Sequence, residues 1–196
     1  MATFTNPDAY IKALTKRGFR ALGQGFYSVV LGKPGCSQVV KVCRNATDVW
    51  PLYAEWAFHN PGPFVPRIHS LKWHGNGKFF VAVLDRMVET LHDRQYSSEV
   101  TGKQREKAKA ILGALSNRYT GLSYVLTAFD KAGYRAEARF LRHLQTVFPH
   151  AYFDIHGNNW MYDASGALIL TDPFSEDKMA VVPKRLKRAA PALLAA

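Results

Sequence analysis

Asp154 and Asn159 stand five residues apart in Asp154-Ile155-His156-Gly157-Asn158-Asn159, and Asp172 follows thirteen residues later in Thr171-Asp172-Pro173-Phe174. This set of side chains suits chemistry on a metal-bound nucleotide. A carboxylate at Asp154 can accept the proton of an attacking hydroxyl. Asn159 and Asp172 supply the hard oxygen ligands that Mg²⁺ favours, with nucleotide phosphates supplying others. The plainer reading of each residue stays open: a turn aspartate at 154, and a strand-end turn before proline at 172.

Two earlier segments fit the same chemistry. Lys41 lies inside the apolar run Val39-Val40-Lys41-Val42. A lysine there is costly to bury unless it is paired. The next acidic residue on an apolar-periodic helix is Glu55. A Lys41–Glu55 pair would hold the ammonium against the α- and β-phosphates of ATP. The competing readings are a sheet-edge lysine facing solvent and a glutamate on the polar face of a surface helix. Upstream, Leu22-Gly23-Gln24-Gly25-Phe26-Tyr27-Ser28 sits between two expected strands. A glycine loop in that setting can fold over a triphosphate with its backbone N–H groups facing the phosphates. It is not a dinucleotide-binding fingerprint, which needs a helix next. Two glycines in an ordinary hairpin are the alternative.

These residues need elements to bring them together. Turn signals at Gly23-Gln24-Gly25 and Lys33-Pro34-Gly35 divide the segment after a first helix (Asp8 to Arg17) into three antiparallel strands, about 19–23, 26–32 and 37–43. A helix capped by Thr47 or Asp48 runs to about His59, with Val49, Leu52, Tyr53, Trp56 and Ala57 at helical spacing. Two more strands, about 67–73 and 78–85, flank the turn His74-Gly75-Asn76-Gly77. Residues 99–117 and 134–147 are helical in pattern, with a shorter helix near 121–131. Two short apolar runs, Asn159 to Tyr162 and Ala167 to Thr171, form a hairpin that returns Asn159 and Asp172 to one end. The expected fold is α+β and two-lobed: an antiparallel sheet with one helix over 1–86, a short, mainly helical half over 87–183, and a basic, Ala-rich tail over 184–196.

Composition narrows the class. With 12 Phe, 9 Tyr and 4 Trp in 196 residues, the bulk of the chain is not disordered. No apolar run reaches the ~18 residues of a membrane span, and the N-terminus lacks a signal-peptide pattern. Cys36 and Cys43 are too few for a disulfide framework, so a reducing, cytoplasmic setting is expected. The formal net charge is +11, concentrated at 103–109 and 184–188. Such runs attract nucleic acid or suit a solvated face, and no nucleic-acid-binding motif accompanies them.

The glycine loop, Lys41, the Glu55 helix, the Asp154/Asn159 loop and Asp172 occur in the order found in the protein-kinase-like superfamily. More closely, the chain resembles the early serine/threonine protein kinases of short-tailed lytic coliphages. The resemblance lies in Gly18-Phe19-Arg20-Ala21-Leu22-Gly23-Gln24-Gly25, Val81-Ala82-Val83-Leu84-Asp85, Phe153-Asp154-Ile155-His156 with Asn159, and Ile169-Leu170-Thr171-Asp172-Pro173-Phe174-Ser175, and covers most of 18–178. It implies a minimal kinase-like fold using ATP and Mg²⁺ on host proteins in the host cytoplasm, transcription and RNA-processing components among them. It implies that Leu22, Gly23, Gln24, Gly25, Ser28 and Lys41 line the nucleotide. The connector Leu84-Asp85-Arg86-Met87-Val88 would read the adenine edge through backbone groups of Asp85 and Met87.

The chain also departs from eukaryotic kinases. Tyr152-Phe153 stands where His-Arg usually precedes the catalytic aspartate, and Pro173-Phe174 where Phe-Gly follows the metal aspartate. Only 24 residues follow Asp172, so a separate transcription shut-off tail is not expected. Asp154-x-His156-x-x-Asn159 is similar to small-molecule kinases of the aminoglycoside and choline type, and in that setting His156 orients the loop or approaches the γ-phosphate. Three readings follow: a protein kinase, a kinase-fold protein that inhibits a host enzyme by contact, and a small-molecule kinase.

Overall fold

The computed structural model describes residues 4–45, 48–90, 121–175 and, between these, 102, 106, 107, 110, 111, 113 and 115. The basic run at 184–188, most of the helix expected over 99–117 and most of the basic run at 103–109 lie outside the described residues.

The first half is a sheet between two helices. Helix α1 spans Pro7–Lys16, with Asn6 as its cap: the Asn6 side chain accepts the Asp8 N–H at 2.8 Å. Strands β1 (Arg20–Gln24), β2 (Ser28–Gly32), β3 (Gln38–Cys43), β4 (Ile68–His74) and β5 (Phe79–Asp85) form one antiparallel sheet in the order β1-β2-β3-β5-β4. All five were expected at these places. Between β3 and β4 lies helix α2, Trp50–His59.

The alternation of side chains across the central strands explains why both faces are covered. Val40 and Val42 of β3 and Phe79 and Val81 of β5 point to one side, where Leu14 of α1 joins them. Val39 and Cys43 of β3 and Phe80, Ala82 and Leu84 of β5 point to the other, against Trp50, Tyr53, Ala54 and Ala57 of α2 and the second half of the chain. Lys41 falls on that second face, in the middle of β3, so the sheet's own periodicity delivers its side chain to the junction of the two halves. Each large side chain buried there contributes about 1.5–3 kcal/mol.

The second half adds helices α3 (Leu122–Lys131) and α4 (Arg135–Val147), then the hairpin of β8 (Trp160–Tyr162) and β9 (Leu168–Leu170). The Asp163 carboxylate closes the hairpin turn by accepting N–H bonds from Ser165 and Ala167 at 2.9 and 2.8 Å. Three two-residue strands were not expected. β6 (Glu89–Thr90) pairs with β8, and β7 (Tyr152–Phe153) pairs with β10 (Phe174–Ser175). A single 3₁₀ turn, Gly157–Asn159, links β7 to β8. Among the described residues no helix is long and apolar enough to cross a membrane.

Candidate active site

Backbone bonds assemble the second-half residues. The Asp154 N–H donates to the Pro173 carbonyl at 2.8 Å, beside the β7–β10 pair. The Thr171 N–H and hydroxyl both donate to the Asn159 carbonyl, at 2.7 and 3.0 Å. Asp154, Asn159 and Asp172 are therefore held on neighbouring backbone, 18 residues apart in sequence at their extremes. Within the loop, the Asn159 amide nitrogen donates to the Asp154 carbonyl at 2.7 Å. That bond fixes which end of the amide is nitrogen, and it leaves the Asn159 Oδ1 as the end available to a ligand. His156 Nδ1 accepts the Asn158 N–H at 3.2 Å, so in the neutral ring the proton sits on Nε2. Nε2 lies 3.3 Å from Asp154 Oδ2, close enough to steady the carboxylate.

Lys41 meets this cluster from the sheet. Its Nζ lies 2.9 Å from Asp172 Oδ2, with the lysine side chain 9% exposed and the aspartate 36%. The same ammonium sits 4.0 Å above the centre of the Trp50 ring. Burial pushes the Asp172 carboxyl above the ordinary aspartate range; the Lys41 ammonium opposes this, and the negative charges of Asp48 and Asp154 add to it. Burial works against the charge on Lys41, yet the attraction of Asp172 outweighs it and the ammonium is held more firmly than in free lysine. Burial also keeps the Cys43 thiol, two residues along the strand, well above its usual range and hence protonated at neutral pH.

The expected Lys41–Glu55 pair is not formed. Glu55 Oε1 accepts the Trp73 indole N–H at 3.2 Å, while Lys41 takes Asp172. The reason is the rotation of α2 about its axis. The helix buries Trp50, Pro51, Tyr53, Ala54 and Ala57, which carries position 55 toward β4. The helix also begins at Trp50, two residues after Asp48, whose Oδ1 accepts the Trp50 N–H at 2.8 Å. Sequence reasoning missed Trp50 as a site residue. The available clue was an aromatic residue two positions after an aspartate at the start of the helix, where it reaches back over the preceding strand. Trp50 and Tyr53 also fasten α2 to the far strand: Trp50 Nε1 donates to the Thr171 carbonyl and the Tyr53 hydroxyl to the Leu170 carbonyl, each at 2.8 Å.

The glycine loop is a tight hairpin closed by the Gly25 N–H on the Ser28 carbonyl at 2.9 Å. Every residue of β1 is exposed, and Phe26 at the tip is 87% exposed. Neither Gly23 nor Gly25 has positive φ; a Cβ on Gly23 would meet nothing within 4 Å, and one on Gly25 would only touch Ser28. Gly32 is different, since its Cβ would lie 2.6 Å from a Leu22 methyl, so the absence of a side chain there lets Leu22 lie flat on β2. At the other side of the sheet, the Asp85 carboxylate is bound to His69 at 2.6 Å. The Arg86 and Val88 N–H groups donate to Ser37 and Tyr162 carbonyls at 2.7 and 2.8 Å. The Met87 N–H between them takes no partner among the described residues.

A five-stranded antiparallel sheet with a glycine hairpin, an inner helix, a strand lysine and an Asp–Asn–Asp set on a following hairpin defines a two-lobed kinase-like fold. Residues 8–188 match the family described as Bacteriophage T7 protein kinase 0.7, and the chain belongs to that family. No curated protein matches it. Among solved structures it is similar to the kinase PK-1 of Cydia pomonella granulovirus (15% identity, TM-score 0.41, 83% of this chain and 56% of that one). It is likewise similar to the aminoglycoside phosphotransferase APH(4)-Ia (13%, 0.41, 84% and 70%). A third is the PknI kinase domain of Mycobacterium tuberculosis (18%, 0.40, 88% and 65%). The chain spans about half the length of the first of these solved chains.

Proposed function

We propose that this chain is an ATP-dependent phosphotransferase acting on serine or threonine hydroxyls of host proteins. The observation that carries this is the Lys41–Asp172 contact at 2.9 Å, which joins a strand lysine to a hairpin aspartate 131 residues away, beside Asp154 and Asn159. In this reading Asp154 accepts the proton of the acceptor hydroxyl while the oxygen of that hydroxyl bonds to the γ-phosphorus. The bond from that phosphorus to the bridging oxygen breaks, and ADP leaves with the electron pair. His156 steadies the Asp154 carboxylate through Nε2–H. Lys41 offers positive charge to the phosphates, and its buried setting keeps that charge pre-aimed and poorly screened.

The donor set at Asn159 Oδ1 and Asp172 consists of hard oxygens, which fits Mg²⁺. When bound, that ion would neutralise charge on the phosphate oxygens. Among the described residues no cluster of three or more His, Cys, Asp or Glu is arranged to hold a metal alone, which suits a site completed by nucleotide phosphates and water. Gly23 and Gly25 support close approach of a ligand to the loop backbone, because neither packing nor φ requires glycine at either place. Gln24 and Ser28 flank that approach. Leu22, 46% exposed above Gly32, offers an apolar lid to a base. In this reading the Met87 N–H and the Asp85 carbonyl read the adenine edge, the Asp85 N–H being bonded to the Arg67 carbonyl at 3.0 Å.

The test is incubation of the purified protein with γ-labelled ATP and Mg²⁺, with and without host lysate, followed by phosphoamino-acid analysis. Labelled lysate proteins carrying phosphoserine or phosphothreonine support the reading. Label appearing only on an added aminoglycoside or choline would move the chain to small-molecule kinases, a reading that the His156–Asp154 contact favours. No label anywhere would leave a contact inhibitor built on a kinase fold.

A further inference from the structure

Lys41 has two partners, and one of them is not a carboxylate. Trp50 is 1% exposed, and two contacts hold its ring: the Nε1–H is spent on the Thr171 carbonyl at 2.8 Å, and the indole meets the Phe80 ring edge-to-face with centroids 6.1 Å apart. The backbone below it is pinned as well, because Asp48 Oδ1 accepts the Trp50 main-chain N–H at 2.8 Å. The Lys41 ammonium lies 4.0 Å from the ring centre. Glu55, the only acid on α2, is committed to Trp73.

We propose that Trp50 is the positioning residue for Lys41, its ring face holding the ammonium at the junction in place of a helix carboxylate. The proposal rests on the phosphotransferase reading for its purpose but not for its geometry. A ring face attracts a cation without adding a second negative charge, and the attraction is strongest where water is excluded. Asp172 is therefore the one carboxylate in contact with Lys41, and Asp48 acts on the ammonium only from further away. Because the indole N–H is bonded to Thr171, the residue before Asp172, the same side chain sets the spacing between the lysine and the aspartate. A helix carboxylate would do neither: it would compete with the phosphates for the ammonium, and it would have no donor for the Thr171 carbonyl.

A purely structural tryptophan would serve as well if replaced by any large apolar residue, whereas a positioning ring is replaceable only by another ring. The experiment compares Trp50→Phe, Trp50→Leu and Glu55→Gln by the rate at which acetic anhydride acylates Lys41, read by mass spectrometry. Acylation is expected to be about tenfold faster in Trp50→Leu, within the range of a buried cation–π contact, only about two- to threefold faster in Trp50→Phe, which keeps a ring face but loses the bond to Thr171, and unchanged in Glu55→Gln. In the transfer assay Trp50→Leu is expected to raise KM for ATP more than it lowers kcat, with Trp50→Phe restoring most of the difference. Independently of any variant, the Lys41 ε-methylene protons in the wild-type protein are expected upfield of every exposed lysine, from the ring current. Equal acylation of Trp50→Phe and Trp50→Leu, or Lys41 ε-protons at the exposed-lysine position, would overturn the proposal. Should the wild-type protein transfer no phosphate, the functional reading fails, and acylation and the ε-proton shift still decide the role of Trp50.

Discussion

The glycine hairpin and the Lys41 junction are built on opposite principles. At the junction, each residue's identity has an internal reason: Lys41 needs Asp172 and the Trp50 ring, Trp50 needs the Thr171 carbonyl, and Tyr53 needs the Leu170 carbonyl. On the hairpin, β1 is exposed throughout, Phe26 projects into solvent, and the glycines at 23 and 25 have no packing neighbour that excludes a side chain. Residue choices that the fold does not need point outward, to something that binds. In the proposed function the junction carries both stability and chemistry, and the hairpin carries affinity alone.

Lys41→Ala gives the largest effect and tests the junction side of this contrast. It leaves a void under Trp50 and removes the counter-ion of Asp172. Urea unfolding is expected to show a loss of about 1–3 kcal/mol, and phosphate transfer should fall to background. Gly25→Ala tests the other side. Its φ is compatible with alanine, so stability is expected to hold or rise by about 0.4–1 kcal/mol while KM for ATP increases severalfold. Clear destabilisation by Gly25→Ala would erase the contrast between the two regions.

A smaller effect concerns pH. The Asp172 carboxyl lies above the free-aspartate value of 3.8, chiefly through burial and in part through the charge of Asp48. A raised value means the protonated, inactive form persists to higher pH, so the acid limb of kcat/KM is expected above the ordinary aspartate range. Asp48→Asn retains a helix-capping side chain but removes one negative charge, and the limb should move to lower pH. The same sign governs stability. The native state binds this proton more tightly than the unfolded chain, so the contribution of Asp172 declines as pH rises through its folded value. The smallest effect is expected for Glu55→Gln. With Lys41 held elsewhere, KM for ATP should be unchanged, and the weaker bond to Trp73 should cost less than about 1 kcal/mol.

The five long strands were legible because turns containing Gly or Pro separate β1 from β2, β2 from β3 and β4 from β5, and because β2, β3 and β5 are short runs rich in Val, Leu and Phe. The order Lys41, Asp154, Asn159, Asp172 was legible because a hairpin is the shortest way to return residue 172 to residue 159. The partner of Lys41 was not. Helix α2 carries Trp50, Leu52, Tyr53, Trp56 and Phe58 around most of its circumference, so spacing alone does not say which side faces β3. Only the sheet, with Phe80 and the Thr171 carbonyl already in place, sets that rotation. The strands β6, β7 and β10 have two residues each and no periodicity to read. Their pairing follows from the loops they tie together.

The central claim is that Asp154 takes the proton of the acceptor hydroxyl in a cleft that binds the nucleotide without it. Calorimetric titration of Mg²⁺·ATP into wild-type protein and Asp154→Ala, alongside transfer from γ-labelled ATP, tests it directly. The expected result is equal nucleotide affinity in the two proteins with transfer reduced about 10²–10⁴-fold in the variant. Transfer by Asp154→Ala at the wild-type rate would contradict it.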